Sequence, residues 1–119
     1  MNPVDPERFE ELVSEALDGL PDWIHARMEN VEVMVEDRPP PGRGNAGLLG
    51  LYEGIPLTER TSGSYFGVLP DRITLFQRNL ERVSRDDEDL REQVRHTVVH
   101  EVAHHFGISD DRLREIDRY

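Results

Sequence analysis

Residues His100 to Asp110 read H-E-x-x-H-x-x-G-x-x-D, and this spacing restricts the chain more than any other stretch. Four residues of α-helix turn through about 400° and rise about 6 Å, so His100 and His104 leave a helix from nearly the same side. Two imidazoles placed this way can share one zinc ion at about 2.1 Å. Glu101 is turned about 100° from His100, beside such an ion rather than on it. A glycine at 107 can take a positive φ, reverse the chain and bring Asp110 back as an oxygen ligand, leaving a fourth position for water. With this chain's own residue frequencies, H-E-x-x-H arises by accident in about 2% of such chains, and the longer pattern in about 10⁻⁴.

Each position has a plainer reading. His100 and His104 can be two ordinary helix histidines. Asp110 can be the N-cap of a closing helix, with Asp111 as the ligand instead, although the spacing favours Asp110. A carboxylate at Glu101 sits among Val98, Val99, Val102 and Ala103, where burial without a partner is costly. A general base at that place gives the burial a purpose. His96 extends the row but is turned about 80° from His104, which suits a surface or supporting position. His105 falls off the metal side, and His25 is expected at the surface. Tyr65 and Tyr119 could bring a hydroxyl to a developing oxyanion, although ordinary packing explains both.

Composition narrows the classes. The chain has 119 residues, a length that suits one domain over 1–119, and a net charge of −11. All 14 basic residues are arginine. The acidic balance argues against a nucleic-acid partner, because phosphate binding needs clustered positive charge. With no cysteine, a metal must be held by His, Asp and Glu. Residues Met1 to Leu20 are acidic and amphipathic, unlike a signal peptide, and no apolar run reaches membrane-spanning length. A cytoplasmic protein without membrane contact is expected.

The pattern along the chain predicts a helix over Pro3 to Asp18, with Asp5 as N-cap, Pro6 at the first helical position and Phe9, Leu12, Val13, Ala16 and Leu17 as its apolar stripe. Gly19 and Pro21 end it. A short helix is expected within Pro21 to Glu29. Val31 to Glu36 alternates and reads as a half-buried strand. Arg38 to Gly47 is a loop by composition. Leu48 to Tyr52 suggests a second strand, Glu53 to Gly67 is irregular, and Asp71 to Gln77 suggests a third strand. Ser84 to Phe106 is the dominant helix, with acidic residues in its first turns, where the helix dipole favours them. Leu90, Val94, Thr97, Val98 and Val102 form its inward face. A closing helix is expected over Ser109 to Tyr119.

Beyond the motif, Leu48 to Arg60 (LLGLYEGIPLTER), Leu69 to Gln77 (LPDRITLFQ) and Val94 to Ile108 resemble the small bacterial zincin-like metallopeptidase family. The resemblance spans roughly residues 30 to 117. It implies an α+β, minimal zincin-like fold: a small mixed β-sheet with the motif helix packed across it. It also implies one zinc ion, His100, His104 and Asp110 as ligands, and Glu101 as general base. Metzincins, which share the glycine turn, usually carry His where this chain has Asp110. They also carry a methionine turn below the metal, whereas Met1, Met28 and Met34 all lie upstream here. That departure points away from folded proteins as substrates. The expected activity is hydrolysis of a peptide or unfolded protein, lying extended along Arg72 to Gln77. The alternatives are a zincin-shaped domain that binds metal or a protein partner without turnover, and a zinc-dependent ribonuclease. Asp110 and the negative charge disfavour the ribonuclease.

Overall fold

A computed structural model describes residues 1–55, 70–108 and 111 of the chain. The elements run α1 (Pro6–Asp18), α2 (Asp22–Ala26), β1 (Val31–Glu36), β2 (Gly50–Glu53), β3 (Asp71–Phe76), α3 (Gln77–Val83) and α4 (Asp87–His105). Most follow from local signals. Pro6 opens α1 at the position where its missing N–H costs nothing. Gly19 closes α1 in an ordinary right-handed conformation, φ −75°, so Pro21 is what prevents continuation. Asp86 caps α4 by accepting the Asp89 N–H at 2.9 Å. Asp89 in turn accepts the Arg85 N–H. Four donors at a helix start lack intrahelical partners, and this exchange satisfies one of them.

The three strands form a mixed sheet in the order β1–β3–β2. β1 runs parallel to β3, from Val31 opposite Asp71 to Glu36 opposite Phe76. β2 runs antiparallel to β3, from Gly50 opposite Leu75 to Glu53 opposite Arg72. β1 alternates half-buried Val31, Val33 and Val35 with exposed Glu32, Met34 and Glu36, as a strand with one covered face must. β3 is covered on both faces, since Ile73, Thr74, Leu75 and Phe76 are all buried. Ile73 and Leu75 join Phe9, Leu12 and Val13 of α1, Leu80 of α3, and Leu90, Val94, Val98 and Val102 of α4 in one core. The inward face expected for α4 is therefore the one that packs.

Several expectations need correction: α1 starts at Pro6 rather than Pro3, Asp5 makes no side-chain capping bond, and the second strand runs Gly50–Glu53 rather than Leu48 to Tyr52. The third strand stops at Phe76, and Gln77 begins α3. Gln77 is drawn out of the sheet by its amide, which donates to the Val4 carbonyl at 3.1 Å and to Glu81 at 3.2 Å. The dominant helix starts at Asp87, because Ser84 closes α3, its hydroxyl donating to the Leu80 carbonyl. The sequence conceals α3: it has one buried apolar residue, Leu80, and no capping side chain. The expected closing helix and the latter part of the irregular stretch lie outside the described residues, Asp111 excepted.

Candidate metal centre

The motif occupies the last two turns of α4, and its orientation follows from which face of the helix is buried. Thr97, Val98, Glu101, Val102 and His105 are buried, a stripe centred about 120° round the axis from His100. His100 and His104 lie on the flank of that stripe and are half-buried. Their rings stand side by side, centroids 4.8 Å apart and planes inclined by 40°. Helical spacing has thus brought the two imidazoles to one side of α4 at the edge of the core.

Glu101 lies deeper, 6% exposed, where β2 crosses the helix. Gly50 makes that crossing possible. A Cβ at Gly50 would stand 2.8 Å from Thr97 Cγ2, 3.1 Å from Glu101 Cγ and 3.2 Å from Glu101 Oε2. Only a residue without a side chain lets the strand come this close. The entry to β2 is held from α3. Buried Asn79 donates both amide hydrogens, to the Ala46 carbonyl at 2.9 Å and the Leu48 carbonyl at 2.7 Å. The Phe76 N–H donates to the Leu49 carbonyl at 3.0 Å. Glu101 has interaction partners, and among the described residues no buried side-chain nitrogen or oxygen lacks a hydrogen bond.

The helix ends as its glycine requires. Gly107 has φ +81°. Its N–H donates to the His104 carbonyl at 2.9 Å, and the Ile108 N–H donates to the Ala103 carbonyl at 3.0 Å. These are the paired bonds of a Schellman turn. The chain therefore leaves the helix sharply, three residues before Asp110. Asp110 itself, Tyr65 and Tyr119 lie outside the described residues, and the described residues alone contain no group of three metal-competent side chains. Two imidazoles beside a buried carboxylate nevertheless form a donor set that fits a zinc ion still needing one oxygen ligand.

His105 faces away from the imidazole pair, buried at 0% exposure. Its Nε2–H donates to the Arg27 carbonyl at 3.0 Å, and its Nδ1 is hydrogen-bonded to Asp71 Oδ2 at 2.9 Å. Tyr52 Oη donates to the same Asp71 oxygen at 2.7 Å. His25 and His96 are exposed. Gly50, Asp71, Tyr52 and Asn79 carried no sequence signal beyond residue type, because each acts through a partner far away in the chain.

The strand expected to receive substrate does not have the right place in the sheet. β3 is the central strand, hydrogen-bonded to β1 on one side and β2 on the other. Its backbone groups are already paired, so no peptide can add along Arg72 to Gln77. The physical reason is topological: strand pattern reports burial, and β3 is buried because it is central.

A short mixed sheet with a long helix laid against it, carrying two paired imidazoles and a buried carboxylate in its last turns, defines an α+β protein of zincin type. Residues 28–119 match the Zincin-like metallopeptidase family, and the chain belongs to that family. A solved structure of a conserved hypothetical protein, TTHA0227 from Thermo thermophilus, is similar to it. That likeness has a TM-score of 0.63 and 26% identity, covering 87% of this chain and 94% of the other. No curated protein matches the chain. Among the described residues, no helix is long and apolar enough to cross a membrane.

Proposed function

We propose that the chain is a zinc-dependent hydrolase of peptides or unfolded protein segments, with His100, His104 and Asp110 as metal ligands and Glu101 as general base. The observation that carries this reading is the pairing of His100 and His104 at 4.8 Å next to buried Glu101. Family membership supports it. Zinc held there would act as a Lewis acid toward a peptide carbonyl and would acidify water. The Glu101 carboxylate takes the proton from the attacking water as its oxygen bonds to the carbonyl carbon. Glu101 then delivers that proton to the departing amine nitrogen as the C–N bond breaks. Glu101 is turned about 100° round the helix from His100, which in this reading puts it beside the metal as a base rather than on it as a ligand. Gly50 of β2 lies close against Glu101, so this reading places an extended peptide on the β2 side of α4.

The test has two arms. Metal content by mass spectrometry on protein purified without chelators should give near one zinc per chain, with a large loss in His104→Ala and in Asp110→Ala. Glu101→Gln should keep the zinc and lose about 10²- to 10⁴-fold in the cleavage of a peptide library. A wild type that takes up no zinc ends the hydrolase reading. A Glu101→Gln variant with undiminished cleavage ends the assignment of the base.

A further inference from the structure

The last turn of a helix ordinarily frays, because its final carbonyls lack intrahelical partners. In this chain that turn carries His104 and launches the segment leading to Asp110. A metal site tolerates displacements of only about 0.5 Å in its ligands, so something must fix the end of α4. The terminal glycine turn closes the backbone but does not anchor it to the rest of the molecule.

His105 supplies that anchor. One ring nitrogen reaches Asp71, the first residue of β3, and the other reaches the carbonyl of Arg27, just after α2. Tyr52 of β2 adds its hydroxyl to Asp71 at 2.7 Å and packs edge-on against the imidazole, centroids 5.8 Å apart. The backbone of Asp71 is itself tied down, its N–H donating to the Asn30 carbonyl at 2.9 Å. One buried side chain thus links the end of α4 to both strands β2 and β3 and to the α2–β1 connection. His104 is the preceding residue in the chain, turned about 100° to the flank.

We propose that His105 is a positioning residue for the metal centre. Its hydrogen bonds to Asp71 and the Arg27 carbonyl set the azimuth of the last turn of α4, and through it the aim of His104. The proposal rests on the zinc reading above. It does not make His105 a ligand, since both ring nitrogens are engaged elsewhere.

The test compares zinc affinity, measured by competition with a chromophoric chelator, against the stability of the metal-free protein, for wild type, His105→Gln and Leu12→Ala. Leu12 is buried on α1, and its truncation lowers stability without touching the anchor. His105→Gln should weaken zinc binding about 10- to 100-fold, as loss of a support to a metal ligand does. Leu12→Ala, with a comparable fall in the metal-free Tm, should bind zinc nearly as the wild type does. A His105→Gln affinity equal to wild type overturns the proposal, and so does an equal loss in Leu12→Ala. If His105→Gln does not fold, Tyr52→Phe serves instead. It removes one bond to Asp71 and should weaken zinc binding several-fold while remaining folded; an unchanged affinity overturns the proposal. A wild type that binds no zinc removes the hydrolase reading along with this one, whereas a zinc-binding wild type with an indifferent variant removes this one alone.

Discussion

Replacing Gly50 by alanine should separate β2 from α4. The new methyl carbon would stand 2.8 Å from Thr97 Cγ2, where ordinary contact begins near 3.4 Å. The two elements must therefore part by about 0.6 Å, the difference between those distances, unless Thr97 yields. Thr97 is a poor candidate to yield. It is β-branched and stiff at χ1, it is buried, and its hydroxyl donates to the Gln93 carbonyl at 2.8 Å. Overpacking of this kind costs about 1–3 kcal/mol, which for a domain of this size lowers Tm by several degrees, up to about 15 °C. The second atom in the way, Glu101 Cγ at 3.1 Å, belongs to a flexible side chain and adds less. Thr97→Ser removes Cγ2 and keeps the hydroxyl. It should cost about 1 kcal/mol alone, as loss of one buried methyl does. In the Gly50→Ala/Thr97→Ser double variant the clash is relieved, so the combined loss should fall short of the sum. Urea unfolding of the four proteins gives this coupling directly. Strict additivity, or a Gly50→Ala protein as stable as wild type, would refute the account of the close approach.

Three further outcomes are expected. Burial raises the pKa of Glu81, but the Val4 N–H, the Gln77 amide and the Arg78 guanidinium outweigh it and hold the carboxyl below its ordinary value. Its contribution is therefore complete above the unfolded pKa and is lost as pH falls through the lower folded one. Glu81→Gln should cost about 1.5–3 kcal/mol at neutral pH and flatten the fall of the urea midpoint between neutrality and acid; an unchanged acid slope contradicts this. Gly107→Ala should lose about 1–2 kcal/mol, the cost of a side chain in the left-handed region, with Gly107→Asn losing less, as calorimetry would show. Asn79→Ala leaves two loop carbonyls without their donor and should lower Tm; faster hydrogen exchange confined to β2 and its entry would locate the effect.

Short-range signals were sufficient for a large part of this protein. The three strands, the helices α1, α2 and α4, the start of α1 at Pro6 and the turn at Gly107 all depend on residues within a few positions of each other. The same is true of the side-by-side imidazoles, since a four-residue step on a helix leaves no choice of direction. The motif residues and the family resemblance were legible for that reason. Tertiary structure decided what depends on pairing across the chain. It put β3 in the middle of the sheet rather than at an edge, because burial on both faces looks the same in sequence whichever strand is central. It drew Gln77 out of the sheet and into α3, through a bond to Val4 that no local pattern records. It also gave Gly50 and His105 their roles. A glycine tolerates close approach but does not say what approaches, and a buried histidine needs hydrogen-bond partners that only folding can supply.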